Sequence, residues 1–275
     1  MVRFASGWRP WRKWSRTWRN AGSCGSGSPY EPGGRCSWVA PARTVAGQDL
    51  VLKVGWRHPE AAHEADALQV WGGGGAVRLH AAETIGQSSA LLLERCTPGT
   101  PLGRSTPEPE QDAVVADLLS RLWIHPPAGH PFRHLQVMCE DWAAEFEVRF
   151  ACSTTGIDPG LARAAMTLLR ELPRSVQDAV LLCTDLHGGN VLAALREPWL
   201  VIDPKPYLGD RTYDALQHML NCQERLVADP VGFAQRMASL LDLDAGRLRL
   251  WLFSRCLQEC LNQPQLYQVA TQLRP

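Results

Sequence analysis

The stretch that decides the fold is "LLCTDLHGGNVLAALREPWLVIDPKPYLGD", Leu181 to Asp210. It has the apolar runs of an ordinary buried hairpin, "NVLAAL" and "PWLVID" joined by "REP". Yet it carries Asp185, Asn190 and Asp203, oxygen side chains of the kind that hold hard cations, and two glycines separate the first two. Such a hairpin would bring Asn190 and Asp203 to neighbouring strand ends. One amide oxygen and one carboxylate there suit Mg²⁺ held together with nucleotide phosphates. Asp185 is then a separate carboxylate, able to orient an attacking hydroxyl and accept its proton. Its spacing from Asn190 matches the D-x-x-x-x-N catalytic loop of phosphotransferases.

Outward from this stretch the chain divides by texture. Residues 1–28 put Trp8, Trp11, Trp14 and Trp18 among Arg9, Arg12, Lys13, Arg16 and Arg19, and the first acidic residue is Glu31. Two readings fit: a basic amphipathic helix that touches a membrane surface, or an atypical leader outside the fold. Pro10 interrupts the helical pattern and favours the second. From Tyr30, "CSWVAPA" and "DLVLKV", separated by the turn "AGQD", predict a hairpin preceded by a glycine loop. "HPEAAHEADALQVW" predicts a helix with Pro59 in its first turn and Ala61, Ala65, Leu68 and Trp71 on one face. "GGGGAVRLHAAE" and "SSALLLERCTPGTPL" predict a turn and two further strands.

After the Pro-rich link "RSTPEPEQD" the pattern becomes helical. Val115, Leu118, Leu119 and Leu122 form one stripe, Trp142, Phe146 and Phe150 a second, and Leu161, Ala165, Leu168, Leu169 and Leu172 a third. The tail, notably "RLRLWLFSRCLQECL", continues in helices. The expected organisation is a leader at 1–28, a strand-rich lobe at 29–104, and a helical lobe at 105–275 that carries the opening hairpin.

Composition narrows the function. A chain of 275 residues with 45% hydrophobic content builds a real core. Formal net charge is zero, which argues against nucleic acid or an anionic membrane as the main partner. No apolar run reaches the roughly 20 residues that a bilayer span requires. Nine cysteines, with no CxxC pair and no His/Cys cluster at zinc spacing, argue for free thiols in a reducing cytoplasm. Lysine occurs only at 13, 53 and 205, so each is worth inspecting.

The segment "CTDLHGGNVL…WLVIDPKPYLGDRTYD" resembles the signature of aminoglycoside phosphotransferases, in the branch of streptomycin 6-kinases and hydroxyurea-resistance kinases. The likeness extends through "YEPGGRCSWVAPA", "LVLKVGWRHPEAAHEADAL", "WGGGGAVRL", "LLLERCTPGTPL" and "WLFSRCLQE", roughly residues 29 to 265. The resemblance implies an α+β, two-lobed protein-kinase-like fold, with ATP and Mg²⁺ as cofactors. It implies Asp185 as catalytic carboxylate and Asn190 and Asp203 as metal ligands. Lys53 would pair with nucleotide phosphates and Glu64 would hold it, with Glu60 on the same helix as the competitor. Glu94 to Cys96 would be the hinge that meets adenine, and Gly33 and Gly34 would let a loop approach phosphate.

One departure stands out. The family has His-Gly before the aspartate, and this chain has Cys183 and Thr184. If that glycine position needs positive φ, threonine there costs about 1–2 kcal/mol. His187 reads as structural. Asp210 and Asp214 either brace the catalytic loop or touch substrate.

The reading implied is an ATP- and Mg-dependent phosphotransferase that O-phosphorylates a streptomycin-type aminoglycoside and so confers resistance. A kinase of another small hydroxyl compound, or a catalytically impaired pseudokinase, is the alternative. The acceptor pocket is expected to be acidic, with Asp210, Asp214, Glu224 and Glu259 available and Asp210 and Glu259 the substrate candidates. Carboxylates there would pair with the planar guanidinium groups of streptomycin in preference to the ammonium groups of kanamycin.

Overall fold

Apolar residues dominate "SWVAPAR" and "DLVLKVGW", with valines among them, and these become strands β1 (Ser37–Arg43) and β2 (Asp49–Trp56). The turn between them places Gly47 at φ +86°, a conformation glycine adopts without strain. With β3 (Leu79–Ile85) and β4 (Ser88–Glu94) they form an antiparallel sheet in the order β1-β2-β4-β3. The computed structural model describes residues 28–30, 36–153 and 156–275, so the Trp/Arg leader through residue 27 and the Gly33–Gly34 loop lie outside the described residues.

The helix after β2 begins later than its sequence suggests. Pro59–Ala61 is a 3-10 turn, and helix α1 runs Glu64–Trp71 with Glu64, Ala67, Leu68 and Trp71 buried. The expected apolar face contained Ala61 and Ala65, which are half-buried; the buried position one turn before Leu68 belongs to a glutamate. Gly72 closes α1 in the left-handed conformation, its N–H on the Leu68 carbonyl. Trp71 Nε1 donates to the Leu122 carbonyl at 2.9 Å, which ties the end of α1 to the helical lobe.

The helical lobe opens with the short α2 (Leu102–Ser105) and then α3 (Glu108–Leu122), so the second half of the Pro-rich link is already helix. Pro107 caps α3 and Pro109 sits in its first turn, where a missing N–H leaves no carbonyl unpaired. Helices α4 (Leu135–Ala151) and α5 (Pro159–Glu171) bury Phe146, Ala165 and Leu169, while Trp142, Leu161 and Leu168 are half-buried. Four short strands follow in two antiparallel pairs: β5 (Val180–Leu182) with β8 (Tyr207–Gly209), and β6 (Val191–Ala193) with β7 (Trp199–Val201). Helices α6 (Arg211–Asp214), α7 (Leu216–Asn221), α8 (Gln223–Ala228), α9 (Pro230–Leu241), α10 (Ala245–Glu259) and α11 (Gln265–Leu273) complete the lobe. A fully buried carboxylate, Asp112, stitches them together by accepting from His218 Nε2 at 2.8 Å, from both terminal nitrogens of Arg225, and from Arg236 Nε at 2.6 Å. Among the described residues no helix is long and apolar enough to cross a membrane. The whole is the expected two-lobed α+β kinase-like fold.

Candidate active site

The loop from Cys183 to Asn190 is held from below by one buried carboxylate. Asp214 accepts the backbone N–H of Cys183 at 2.9 Å, that of Thr184 at 2.6 Å, and Trp123 Nε1 at 3.0 Å. Burial pushes its carboxyl up to about 6. Thr184 does stand at φ +51°, a strained setting for a β-branched residue. Its hydroxyl donates to the Lys205 carbonyl at 2.5 Å, and Lys205 N–H returns to the Cys183 carbonyl at 2.9 Å, so the strained residue is fixed on both sides.

The glycine pair has a packing reason. Gly103 N–H donates to the Gly188 carbonyl at 2.8 Å, and a Cβ on Gly188 would lie 3.0 Å from the Gly103 Cα and 2.6 Å from Gln111 Oε1. A Cβ on Gly189 would meet the His187 ring at 2.8 Å. Two backbones therefore touch where α2 crosses the loop, and His187 folds back so that its Nδ1 accepts Gly189 N–H at 3.1 Å. In this contact His187 serves the fold of the loop.

The β6–β7 hairpin forms as expected, with Val191 opposite Val201 and Ile202 N–H on the Asn190 carbonyl at 2.9 Å. Asn190 and Asp203 consequently leave adjacent strand ends. Asn190 Nδ2 donates to the Asp185 carbonyl at 2.9 Å, which turns its amide oxygen away as the atom available to a cation. From the other lobe, Lys53 Nζ lies 2.5 Å from Asp203 Oδ1 and 2.7 and 2.6 Å from the two oxygens of Glu64. Glu64, and not Glu60, pairs with Lys53. Burial opposes the charge on Lys53, but Glu64 and Asp203 carry its pKa above the usual value. Burial likewise opposes ionisation of Asp203, yet Lys53 and Lys205 hold its carboxyl below the usual range. An ionised carboxylate and an open amide oxygen make a donor set that fits a hard cation whose remaining ligands come from phosphates and water. Among the described residues no cluster of three or more His, Cys, Asp or Glu could hold a metal without such help.

Asp185 faces a cavity of about 180 Å³ that is also lined by Glu60, Trp142, Lys205, Tyr207 and Arg255. Burial raises its pKa, partly countered by Lys205 and His187. Gln217 Nε2 donates to its Oδ1 at 3.1 Å. The cavity is not the acidic pocket expected. Asp210 is 3% exposed and caps α6 while accepting Arg247 Nε and Trp251 Nε1 at 2.6 Å, and Asp214 is the loop brace already described. Glu259 pairs with Arg255 at 3.3 Å and Asn262 at 3.2 Å, and neither it nor Glu224 lines the cavity. Asp210 is thus a bracing residue, because its carboxylate is buried and fully engaged, and Glu259 bears on the cavity only through Arg255. Of the lining groups that the sequence reading missed, Lys205 carried a signal as one of three lysines. Gln217 and Arg255 carried none.

At the expected hinge, Glu94 does not offer its side chain to a ligand. Its carboxylate takes Arg196 Nε and Nη2 at 2.9 Å and Arg78 N–H at 3.0 Å. Backbone from Glu94 to Cys96 remains the part able to meet a base, with the Cys96 side chain half-buried beside it.

An ion pair of Lys53 with Glu64 in one lobe, two oxygen side chains at adjacent strand ends and a half-buried carboxylate facing a separate cavity are the arrangement expected of a kinase. Residues 27–262 match the family model described as aminoglycoside/hydroxyurea antibiotic resistance kinase. The chain belongs to that family. As a member of it, the protein is a phosphotransferase. It is 34% identical to a hydroxyurea phosphotransferase of Kitasatospora aureofaciens over 86% of this chain and 68% of that protein. It is 32% identical to a streptomycin 6-kinase of Streptomyces glaucescens over 83% of this chain and 75% of that one. In fold the kinase is similar to an aminoglycoside phosphotransferase from Streptomyces rimosus solved with ADP and streptomycin, with a TM-score of 0.56, 16% identity, and 92% and 96% of the two chains covered.

Proposed function

We propose that the kinase transfers the γ-phosphoryl group of ATP to a hydroxyl of a streptomycin-type aminoglycoside, in a reducing cytoplasm where its eight described cysteines, all free, are stable. The observation that carries this reading is Asp185 facing a cavity on one side and bonded to Asn190, at one of the two strand ends, on the other. Magnesium bound at Asn190 and Asp203 would neutralise charge on the phosphates. Lys53, fixed by Glu64, takes phosphate oxygens on the small-lobe side. Asp185, oriented by Gln217 and Asn190, accepts the hydroxyl hydrogen bond and then the proton. Backbone at Glu94–Cys96 is assigned to adenine. Addition of about two negative charges to a polycationic drug weakens its grip on anionic RNA, which is the basis of resistance.

The test is a screen of streptomycin, kanamycin and hydroxyurea with ATP and Mg²⁺, read by mass gain of one phosphate. Streptomycin should be modified and kanamycin should trail it by about tenfold or more in kcat/KM. No mass gain on any aminoglycoside overturns the substrate assignment. A kinase of a smaller hydroxyl compound is favoured by one observation, the cavity of about 180 Å³ with two acidic and two basic lining residues. It predicts hydroxyurea ahead of both drugs. Impairment by Thr184 is not favoured, since the residue is held by hydrogen bonds at its amide and hydroxyl.

A further inference from the structure

The small lobe contributes a residue to the wall of the acceptor cavity, and among the described residues it is the carboxylate there with no close hydrogen-bond partner. Glu60 lies in the 3-10 turn Pro59–Ala61, and its side chain is half exposed, 51%. Its one ion-pair-distance contact among the described residues is with His58 Nδ1, 4.0 Å away. Each of the other charged side chains on the cavity has at least one partner, although Arg255 Nε is buried without one. Asp185 takes Gln217 and Asn190, Lys205 sits on the Asp203 carboxylate, and Arg255 Nη1 donates to Gln258 and Glu259 while its guanidinium lies 4.1 Å from the Trp142 ring centroid.

The turn that carries Glu60 is pinned over the cavity. Arg133 of the large lobe donates Nη2 to the Pro59 carbonyl at 2.7 Å and to the Tyr207 hydroxyl at 2.5 Å, and its guanidinium lies 4.9 Å from the Tyr207 ring centroid. Tyr207 is itself a cavity wall, so the small-lobe turn and the large-lobe wall are joined by one side chain. A carboxylate held in this way, on a wall it shares with Trp142, Tyr207 and Tyr213, matches a cation carried on a ring.

We infer that Glu60 is the specificity-determining carboxylate of the acceptor site, pairing with an ammonium or guanidinium group next to the hydroxyl that Asp185 addresses. This rests on the phosphotransferase reading and deepens it, because it commits the acceptor to be cationic and gives the small lobe a direct hold on it. The assignment also separates two glutamates of one segment: Glu64 serves Lys53, and Glu60 serves the acceptor.

The experiment uses the full chain. Streptomycin is titrated calorimetrically into wild type and Glu60→Gln with Mg²⁺ and ADP present, and steady-state constants are taken with Mg-ATP. Glu60→Gln should weaken streptomycin binding and raise its KM by about tenfold or more, with kcat within about threefold and ADP affinity unchanged. Glu60→Asp should recover part of the loss. A streptomycin affinity in Glu60→Gln within about twofold of wild type overturns the inference, and so does an equal loss of ADP affinity. Wild type that binds no streptomycin overturns it as well. If that chain still phosphorylates hydroxyurea, the phosphotransferase reading stands without the cationic acceptor, and transfer to no acceptor removes both.

Discussion

Among the described residues Asp185 has no salt-bridge partner. Its oxygens accept from the amides of Gln217 at 3.1 Å and Asn190 at 3.4 Å, neutral donors that orient the carboxylate without quenching its basicity. Asp185→Asn keeps that geometry and removes the proton acceptor, so kcat should fall by about 10²–10⁴ with ATP affinity nearly unchanged. Calorimetry beside steady-state rates checks this, and equal loss of both would remove Asp185 from the acceptor side. Asp214 is different, a structural carboxylate that burial pushes from an ordinary 3.8 up to about 6. Its folded form holds the proton more tightly than the unfolded chain does. The stability this contributes is fully present below about pH 3.8 and is lost as pH rises through about 6, a gap of roughly 3 kcal/mol. The stability advantage of wild type over Asp214→Asn, from urea titrations, should therefore shrink between pH 4 and pH 7. An advantage that grows with pH would mean that the three N–H donors outweigh burial. Asp185, Asn190, Asp203 and Lys53 stood out in the sequence because their spacing or rarity marks them, and the structure brings them together in pairs. Gln217 and Arg255 were not, since a glutamine or arginine on an apolar helix has no pattern that distinguishes a site from a surface.

The hairpin β6–β7 and the sheet β1–β4 were readable because strands of this kind announce themselves through apolar runs and turn residues. The start of α1 was not. Pro59 fits a first helical turn, but the chain makes a 3-10 turn there and begins the α-helix only at Glu64, with the acidic side chain turned inward to Lys53. Tertiary pairing decided that register, and a periodicity argument treats a glutamate as an outward position. The loop from Asp185 to Asn190 shows the opposite case, in which a local signal had a remote cause. Gly188 is glycine because α2 crosses it backbone to backbone. Gly188→Ala would force Gly103 away, at about 1–3 kcal/mol of overpacking, and would move Asn190 two residues on. Thermal unfolding should register a Tm drop of several degrees, and Mg-ATP affinity should fall with it. A variant as stable as wild type, with unchanged Mg-ATP affinity, would show that the α2 contact does not position the loop.

At the scale of the molecule the two lobes are joined by charged clamps as well as by the chain. Lys53 to Asp203 spans the cleft, Arg133 reaches Pro59, and Arg196, in the β6–β7 turn, grips Glu94 together with the carbonyls of Gly73 and Ala76 at 2.7 and 2.9 Å. The four-glycine run 72–75 gains its meaning here. Gly73 stands at φ +95°, and a Cβ on it would lie 2.8 Å from Arg78 Cγ and 3.5 Å from Arg196 Nη1, so the run makes room for two arginines. None of this was visible in "WGGGGAVRL" or "REP", because neither segment names its partner across the fold. Arg196 thus ties the β6–β7 turn to the end of strand β4. Its removal should loosen the angle between lobes more than it disturbs either lobe. With both partners about one-fifth exposed, the cost of Arg196→Met should be near 2 kcal/mol, below that of a fully buried pair. Glu94 would be left without its guanidinium, and the hinge backbone would lose its fixed position relative to Asn190 and Asp203. The expected kinetic signature is a KM for ATP raised by about fivefold or more with kcat changed less, since Asp185 and its cavity lie on the far side of the hairpin. Glu94→Gln, which keeps one acceptor for Arg196, should fall between wild type and Arg196→Met. A loss confined to kcat, with KM for ATP at the wild-type value, would show that Arg196 acts on the transfer step and not on the hinge.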